Sequence, residues 1–98
     1  MNTAKLFFNM MTYLRKNNYR LNTVGLLIMY YVYVENVHES VKVYTHLINT
    51  IAPTVTRDIK ILEEYGFVKR KPNKTDRRLI IVTPTEAGSL FMKELLKD

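Results

Sequence analysis

Residues 53–83 read PTVTRDIKILEEYGFVKRKPNKTDRRLIIVT, and the fold turns on them. The stretch opens with helical spacing. Val55, Ile59 and Leu62 fall at i, i+4 and i+7 and form one apolar stripe, while Thr56, Arg57 and Lys60 fall on the other side. Pro53 suits a first helical turn, where its missing N–H removes nothing, and Gly66 can take the left-handed position that ends a helix. A β-hairpin follows, with Phe67 to Lys71 as one strand, PNKTD as a polar turn and Arg78 to Thr83 as the partner strand. Six basic residues lie between Lys69 and Arg78, against one acidic residue, Asp76. A helix with polar and cationic residues at its leading end, beside a cationic hairpin, suits one helix in a DNA groove with a β-wing next to it.

Moving toward the N-terminus, Ser40 is placed to cap a helix from Val41 to about Asn49, with a very short strand at Val41–Val43, paired to the hairpin, as the competing reading. Asn49 suits the left-handed residue that closes this helix, and Thr50–Ala52 make the turn, completing a helix-turn-helix. Asn22 is a good N-cap for a helix from Thr23 to about Val34 that is apolar nearly all round. The run Tyr30–Val34 has strand propensity, but a buried central helix also reads this way. Its tyrosines are expected to pack rather than to line a ligand pocket. From Thr3 to Arg15, Leu6, Met10 and Leu14 share one helical face with Phe7 and Met11 beside them. So wide an apolar face has two things to cover, the domain core and a partner subunit. Beyond the hairpin, Thr83-Pro84-Thr85-Glu86 offers a capping box with Pro at the first helical position, or else Thr85 caps. The last helix runs to about Leu96, and Gly88 inside it, costing ~1 kcal/mol relative to Ala, marks close packing.

Ninety-eight residues make one domain, and one this small gains from a dimer interface. Hydrophobic residues at 47% and charged residues at 24% describe an ordinary globular chain. The net charge of +6 favours nucleic acid or an anionic membrane as partner. There is no cysteine, which excludes disulfides and thiolate metal sites. The N-terminus lacks the features of a signal peptide, and the apolar run Val24–Val34 falls short of the ~20 residues of a membrane helix. The protein is expected to be soluble and cytoplasmic, with no membrane partner.

Two stretches resemble a known family. PTVTRDIKILEEYGFVKR is similar to the recognition helix and first wing strand of MarR-like regulators, the multiple-antibiotic-resistance family. Asp76, Arg78, Val82, Thr85 and Gly88 match that family's wing pattern, D-x-R-x-x-x-V-x-L-T-x-x-G, with Pro84 standing where the pattern has leucine. The resemblance spans roughly Tyr44 to Gly88. It implies a homodimer on a pseudo-palindromic operator, with recognition helices in successive major grooves and a wing arginine in the minor groove. Arg78 is then the wing-tip arginine and Asp76 the carboxylate that orients it. Thr54, Thr56 and Arg57 lie on the recognition helix facing DNA. Thr45 and Thr50 depart from the family's small and apolar residues around the turn. Typical members are longer by a C-terminal helix, so this chain reads as a compact, short-chain relative whose first and last helices carry dimerisation.

The expected architecture is α+β, mostly α: a winged helix-turn-helix of four to five helices with a two- to three-stranded wing. Residues 1–98 form a single domain, with the helix-turn-helix at about 41–65 and the wing at about 67–83. Terminal helices for dimerisation lie at about 3–16 and 85–96. The candidate DNA-binding residues are Thr54, Thr56, Arg57, Lys60, Lys71, Asn73, Lys74, Arg77 and Arg78, with Asp76 orienting the wing. Wing cations neutralise phosphates and release counterions; Arg57 or Lys60 can reach guanine, and a threonine methyl can touch thymine. A solvated hairpin whose lysines keep a sheet edge soluble is the plainer alternative. His38 and His46 have no ligand partners at metal spacing, and no phosphate loop or nucleophile elbow is present, so neither cofactor nor enzyme activity is expected. A small-molecule effector is left open but not indicated. The chain reads as a sequence-specific regulator of transcription, a homodimeric repressor on double-stranded DNA. The alternatives are a segregation or architectural binder of plasmid or viral DNA, and a winged-helix protein-interaction module.

Overall fold

The computed structural model describes residues 2–97; Met1 and Asp98, the ends of the expected domain, lie outside them. Five helices and one hairpin follow in the order α1 (Thr3–Lys16), α2 (Thr23–Tyr33), α3 (Val41–Ile48), α4 (Ala52–Glu64), β1 (Val68–Pro72), β2 (Ile80–Pro84) and α5 (Glu86–Leu95). The strands are antiparallel, with Arg70 opposite Val82 at the centre of the ladder. The architecture is thus the expected one, a mostly helical fold with a two-stranded wing.

The core forms where apolar stripes meet. Ile28, Met29 and Val32 of α2 face Val55, Ile59 and Leu62 of α4, and Tyr44 of α3 and Val68 and Val82 of the hairpin close the cluster. Each large aliphatic side chain taken out of water in this way contributes ~1.5–3 kcal/mol. The apolar run at Tyr30–Val34 is helix to Tyr33, because α2 is the central element and its strand-like residues meet neighbours on several sides. An aromatic group joins the two terminal helices to the base of the wing. The Tyr19 ring lies 5.1–5.4 Å from those of Phe91, Phe67 and Tyr65, and Tyr13 lies 6.0 Å from Phe91.

Helix ends show which local signals won. Asn22 caps α2 by accepting from the Gly25 N–H at 3.0 Å. Asn49 closes α3 at φ 61, and Gly66 follows α4 at φ 80. Past α4, the Gly66 N–H bonds Glu63 O and the Phe67 N–H bonds Leu62 O, both at 2.9 Å, which is a Schellman closure. Ser40 occupies the cap position of α3 but makes no side-chain cap bond.

Val41–Val43 is the first turn of α3, the helix reading rather than the competing strand, and the connector meets the hairpin one step earlier, through a 2.9 Å bond from the Val82 N–H to Glu39 O. Three expectations are corrected. Helix α4 already begins at Ala52, with Ile51 at its cap, so Pro53 falls within the first turn but Ala52 is not part of the preceding turn. The box Thr83-Pro84-Thr85-Glu86 does not form. Pro84 ends β2, and Thr85 caps α5 by accepting from the Gly88 N–H at 3.0 Å. The strands sit further along than expected, because the Phe67 N–H is committed to the α4 closure and Arg78 to the loop.

Gly88 has a packing reason. A Cβ there would overlap the Tyr33 hydroxyl and the Phe67 carbonyl. That hydroxyl donates to Phe67 O at 2.6 Å and accepts the Thr85 N–H at 3.0 Å, so a side chain of α2 fastens both ends of the hairpin.

Candidate nucleic-acid interface

Helix α4 is oriented by its buried stripe, Val55, Ile59 and Leu62, each at 0% exposure. At 100° per residue the opposite face carries Arg57 and Lys60, both exposed, followed one turn later by Glu64. Thr54 and Thr56 flank that face, Thr54 half-buried and Thr56 exposed. The first turn carries no side-chain cap, and Ile51 at the cap is exposed.

The wing is shaped by its own side chains. Asn73 Oδ1 accepts from the Thr75 N–H at 2.8 Å, the Thr75 hydroxyl at 2.6 Å and the Asp76 N–H at 3.0 Å, which folds the chain back after Pro72. Asp76 then takes the Arg78 backbone N–H at 3.1 Å and grips its guanidinium through Nε at 3.0 Å and Nη2 at 3.1 Å. The Arg78 guanidinium, and after it the Arg78 N–H, hold the Asp76 carboxyl below its ordinary pKa, and the carboxylate in turn raises that of Arg78. The Arg78 side chain is nonetheless 90% exposed. It is a fixed cation at the tip, in the loop rather than in a strand. Lys71, Lys74 and Arg77 are exposed, while Asn73 and Asp76 are half-buried because they build the turn.

The expected site residues therefore form two groups, Thr54, Thr56, Arg57 and Lys60 on the helix and Lys71 to Arg78 on the wing. Two features joining and backing these groups escaped the sequence reading. Glu63, in the last turn of α4, pairs with Arg70 of β1 at 2.9 Å and ties the wing to the helix. Asp58 lies on the buried face of α4 at 2% exposure, bonded by Asn22 Nδ2 at 3.1 Å and 3.5 Å from Arg57 Nε. Its signal was present in the sequence, since a carboxylate at position 58 interrupts the stripe of residues 55, 59 and 62. His38 has a ring nitrogen 3.2 Å from Val32 O, and His46 is exposed.

Among the described residues, no helix is long and apolar enough to cross a membrane. Large apolar side chains remain exposed on the terminal helices, Phe7 at 63% and Phe8 at 66% on α1 and Leu90 at 56% on α5.

The family profile described as transcriptional regulator SarA/Rot matches residues 11–95. Among curated proteins, no sequence matches the chain. Solved structures share the fold. The transcriptional regulator Tm0710 from Thermotoga maritima superposes with a TM-score of 0.79 at 22% identity, over 93% of this chain and 62% of its own. YusO from Bacillus subtilis gives 0.76 at 20% identity, over 95% and 64%. The regulator BldR from Sulfolobus solfataricus gives 0.71 at 20%, over 97% and 77%. The chain thus spans a little under two thirds of the length of the first two. A MarR-like regulator from Thermotoga maritima also shares the fold, with a TM-score of 0.69.

Proposed function

The chain belongs to the SarA/Rot family of transcriptional regulators, and from that premise we propose that it is a cytoplasmic, homodimeric repressor that binds double-stranded DNA sequence-specifically. The whole chain acts as one winged-helix unit, with the helix-turn-helix at about 41–65, the wing at about 67–83 and the terminal helices as the dimer contact. The observation that carries this reading is the pairing of a cationic outer face on α4 with a wing tip whose arginine is held in place yet 90% exposed. A bidentate carboxylate grip fixes the direction of an exposed guanidinium, which suits its presentation to a groove. Arg57, Lys60, Thr54 and Thr56 meet base edges in the major groove, Lys71, Asn73, Lys74 and Arg77 meet phosphates, and Arg78 enters the minor groove with Asp76 orienting it.

Dimerisation is supported by the exposed apolar residues Phe7 and Phe8 on α1, Leu90 on α5 and Leu96 just past its end. Two subunits related by a two-fold axis place their recognition helices on half-sites about one helical turn apart.

The test is selection of bound fragments from random DNA, followed by salt-titrated anisotropy on the selected site and a scrambled one. A palindromic site with a specificity gap, together with sedimentation at twice the 11.6 kDa chain mass, is expected. Cooperative spreading over any sequence would point to an architectural binder. Absence of salt-dependent binding would leave a protein-interaction module.

A further inference from the structure

Apolar packing does not explain Asp58. It sits on the buried face of α4, its Oδ2 is enclosed with no hydrogen-bond partner among the described residues, and its Oδ1 is served by one neutral amide. A carboxylate so placed is costly unless its charge is used. The amide belongs to Asn22, whose own Oδ1 is engaged with the Gly25 N–H as the cap of α2, so the donor is fixed in orientation. Asp58 is thus anchored from behind by α2. In front of it stands Arg57, 60% exposed, with Nε 3.5 Å from Asp58 Oδ1.

A guanidinium that turns its Nε edge toward a carboxylate keeps the end-on N–H pair of its two terminal nitrogens free of it. Those nitrogens form the fork that matches O6 and N7 of guanine. We propose that Asp58 is a positioning residue that sets sequence specificity: it holds Arg57 so that the outward fork reads a guanine instead of swinging to the nearest phosphate. The inference rests on the DNA-binding reading above and deepens it by assigning a base class to Arg57. An unrestrained arginine adapts to any phosphate and so raises affinity for every sequence, whereas a restrained one pays only where the base matches.

The experiment takes the selected duplex and a set in which each guanine in turn is replaced by adenine, its pairing partner changed with it. Affinities are measured by anisotropy for the wild type, Asp58→Asn, Arg57→Ala and Arg57→Lys. In the wild type, one replacement is expected to weaken binding about tenfold, within the range of one bidentate base contact. Asp58→Asn, Arg57→Ala and Arg57→Lys should each erase most of that penalty, and Asp58→Asn should bind scrambled DNA at least as well as the wild type does. A merely structural role would weaken every duplex by the same factor and keep the penalty, and that result overturns the proposal. Should Asp58→Asn fail to melt cooperatively, Arg57→Ala decides: it removes every contact from position 57, so a retained penalty shows that another residue reads the guanine and overturns the proposal. A wild type that binds no duplex removes the DNA reading and this inference together. A wild type that reads guanine while Asp58→Asn reads it equally well removes the inference alone.

Discussion

Helix α4 and the wing tip are both held still, but by opposite means. The helix is placed by distant parts of the chain: its stripe is buried against α2 and α3, and its carboxylate is held by an amide 36 residues away in sequence. The tip is placed by itself, since the side chains of Asn73, Asp76 and Arg78 bond within the loop and backbone bonds tie Asn73 and Asp76 to Leu79 at its end. Truncation of the α4 stripe therefore reaches global stability and through it everything else, whereas a change in the tip reaches only the surface that the tip presents. Stripe truncations and tip substitutions should separate into losses of folding and losses of binding.

The largest effect is expected at Leu62, which is fully buried on α4. Leu62→Ala should cost about 2–5 kcal/mol in a urea melt, as buried Leu truncations do. A loss below about 0.5 kcal/mol, the range of a neutral surface change, would show that the stripe does not set the helix. Next comes Gly88→Ala. Helix propensity alone gains ~1 kcal/mol, yet the added methyl collides with the Tyr33 hydroxyl and the Phe67 carbonyl, so a net destabilisation of about 1–3 kcal/mol is expected. A rise in Tm would mean that the junction yields. Arg78→Ala should leave the melt unchanged and make the log-affinity versus log-salt slope shallower by about 1, as loss of one DNA-facing cation does. An unchanged slope would take Arg78 out of the interface, and a lowered Tm would show that the tip is not self-contained. The smallest effect is a titration. The Asp76 pKa is depressed below its ordinary 3.8 by Arg78, so the grip is complete above that value and is lost as the pH falls through the depressed one. A carboxyl-carbon NMR titration should show the Asp76 pKa returning upward in Arg78→Ala, with wing-tip shifts flat through neutral pH in the wild type.

The same contrast governs what could be read from residues alone. The α4 stripe, the left-handed Asn49 and Gly66 and the Asn22 cap are periodic or nearest-neighbour signals, and each appears where the spacing puts it. Gly88 was legible as a close approach, although not which hydroxyl it accommodates. The features that differ from expectation depend on competition between neighbours. Thr83 and Thr85 are equally good caps in isolation, and the choice falls to Thr85 because Thr83 is already paired opposite Lys69 in the ladder. The strand limits moved for a similar reason, with one N–H claimed by a helix closure and another by Asp76. Contacts such as Asn22 with Asp58 or Glu63 with Arg70 join segments that no periodicity relates. Of the candidate site, the residue types and their two groups were legible; the grip on Arg78 was implied by a family resemblance, and the backing of Arg57 was not seen.

The Tyr33 hydroxyl has an evolutionary consequence. It binds the carbonyl where the chain leaves α4 and the amide where the chain enters α5, so the hairpin departs from and returns to a single oxygen on α2. Whatever length of chain lies between those points, the body of the fold sees the same closed ends. Residues added at the tip beyond Asn73 lengthen a loop already clamped at its root, and the entropy of such lengthening grows only with the logarithm of its size. The tip, residues 73–79, is in this sense an interchangeable cassette, while Val68 and Val82 keep the base of the wing in the core. Descendants of this chain can exchange or extend the tip without first having to refold the rest.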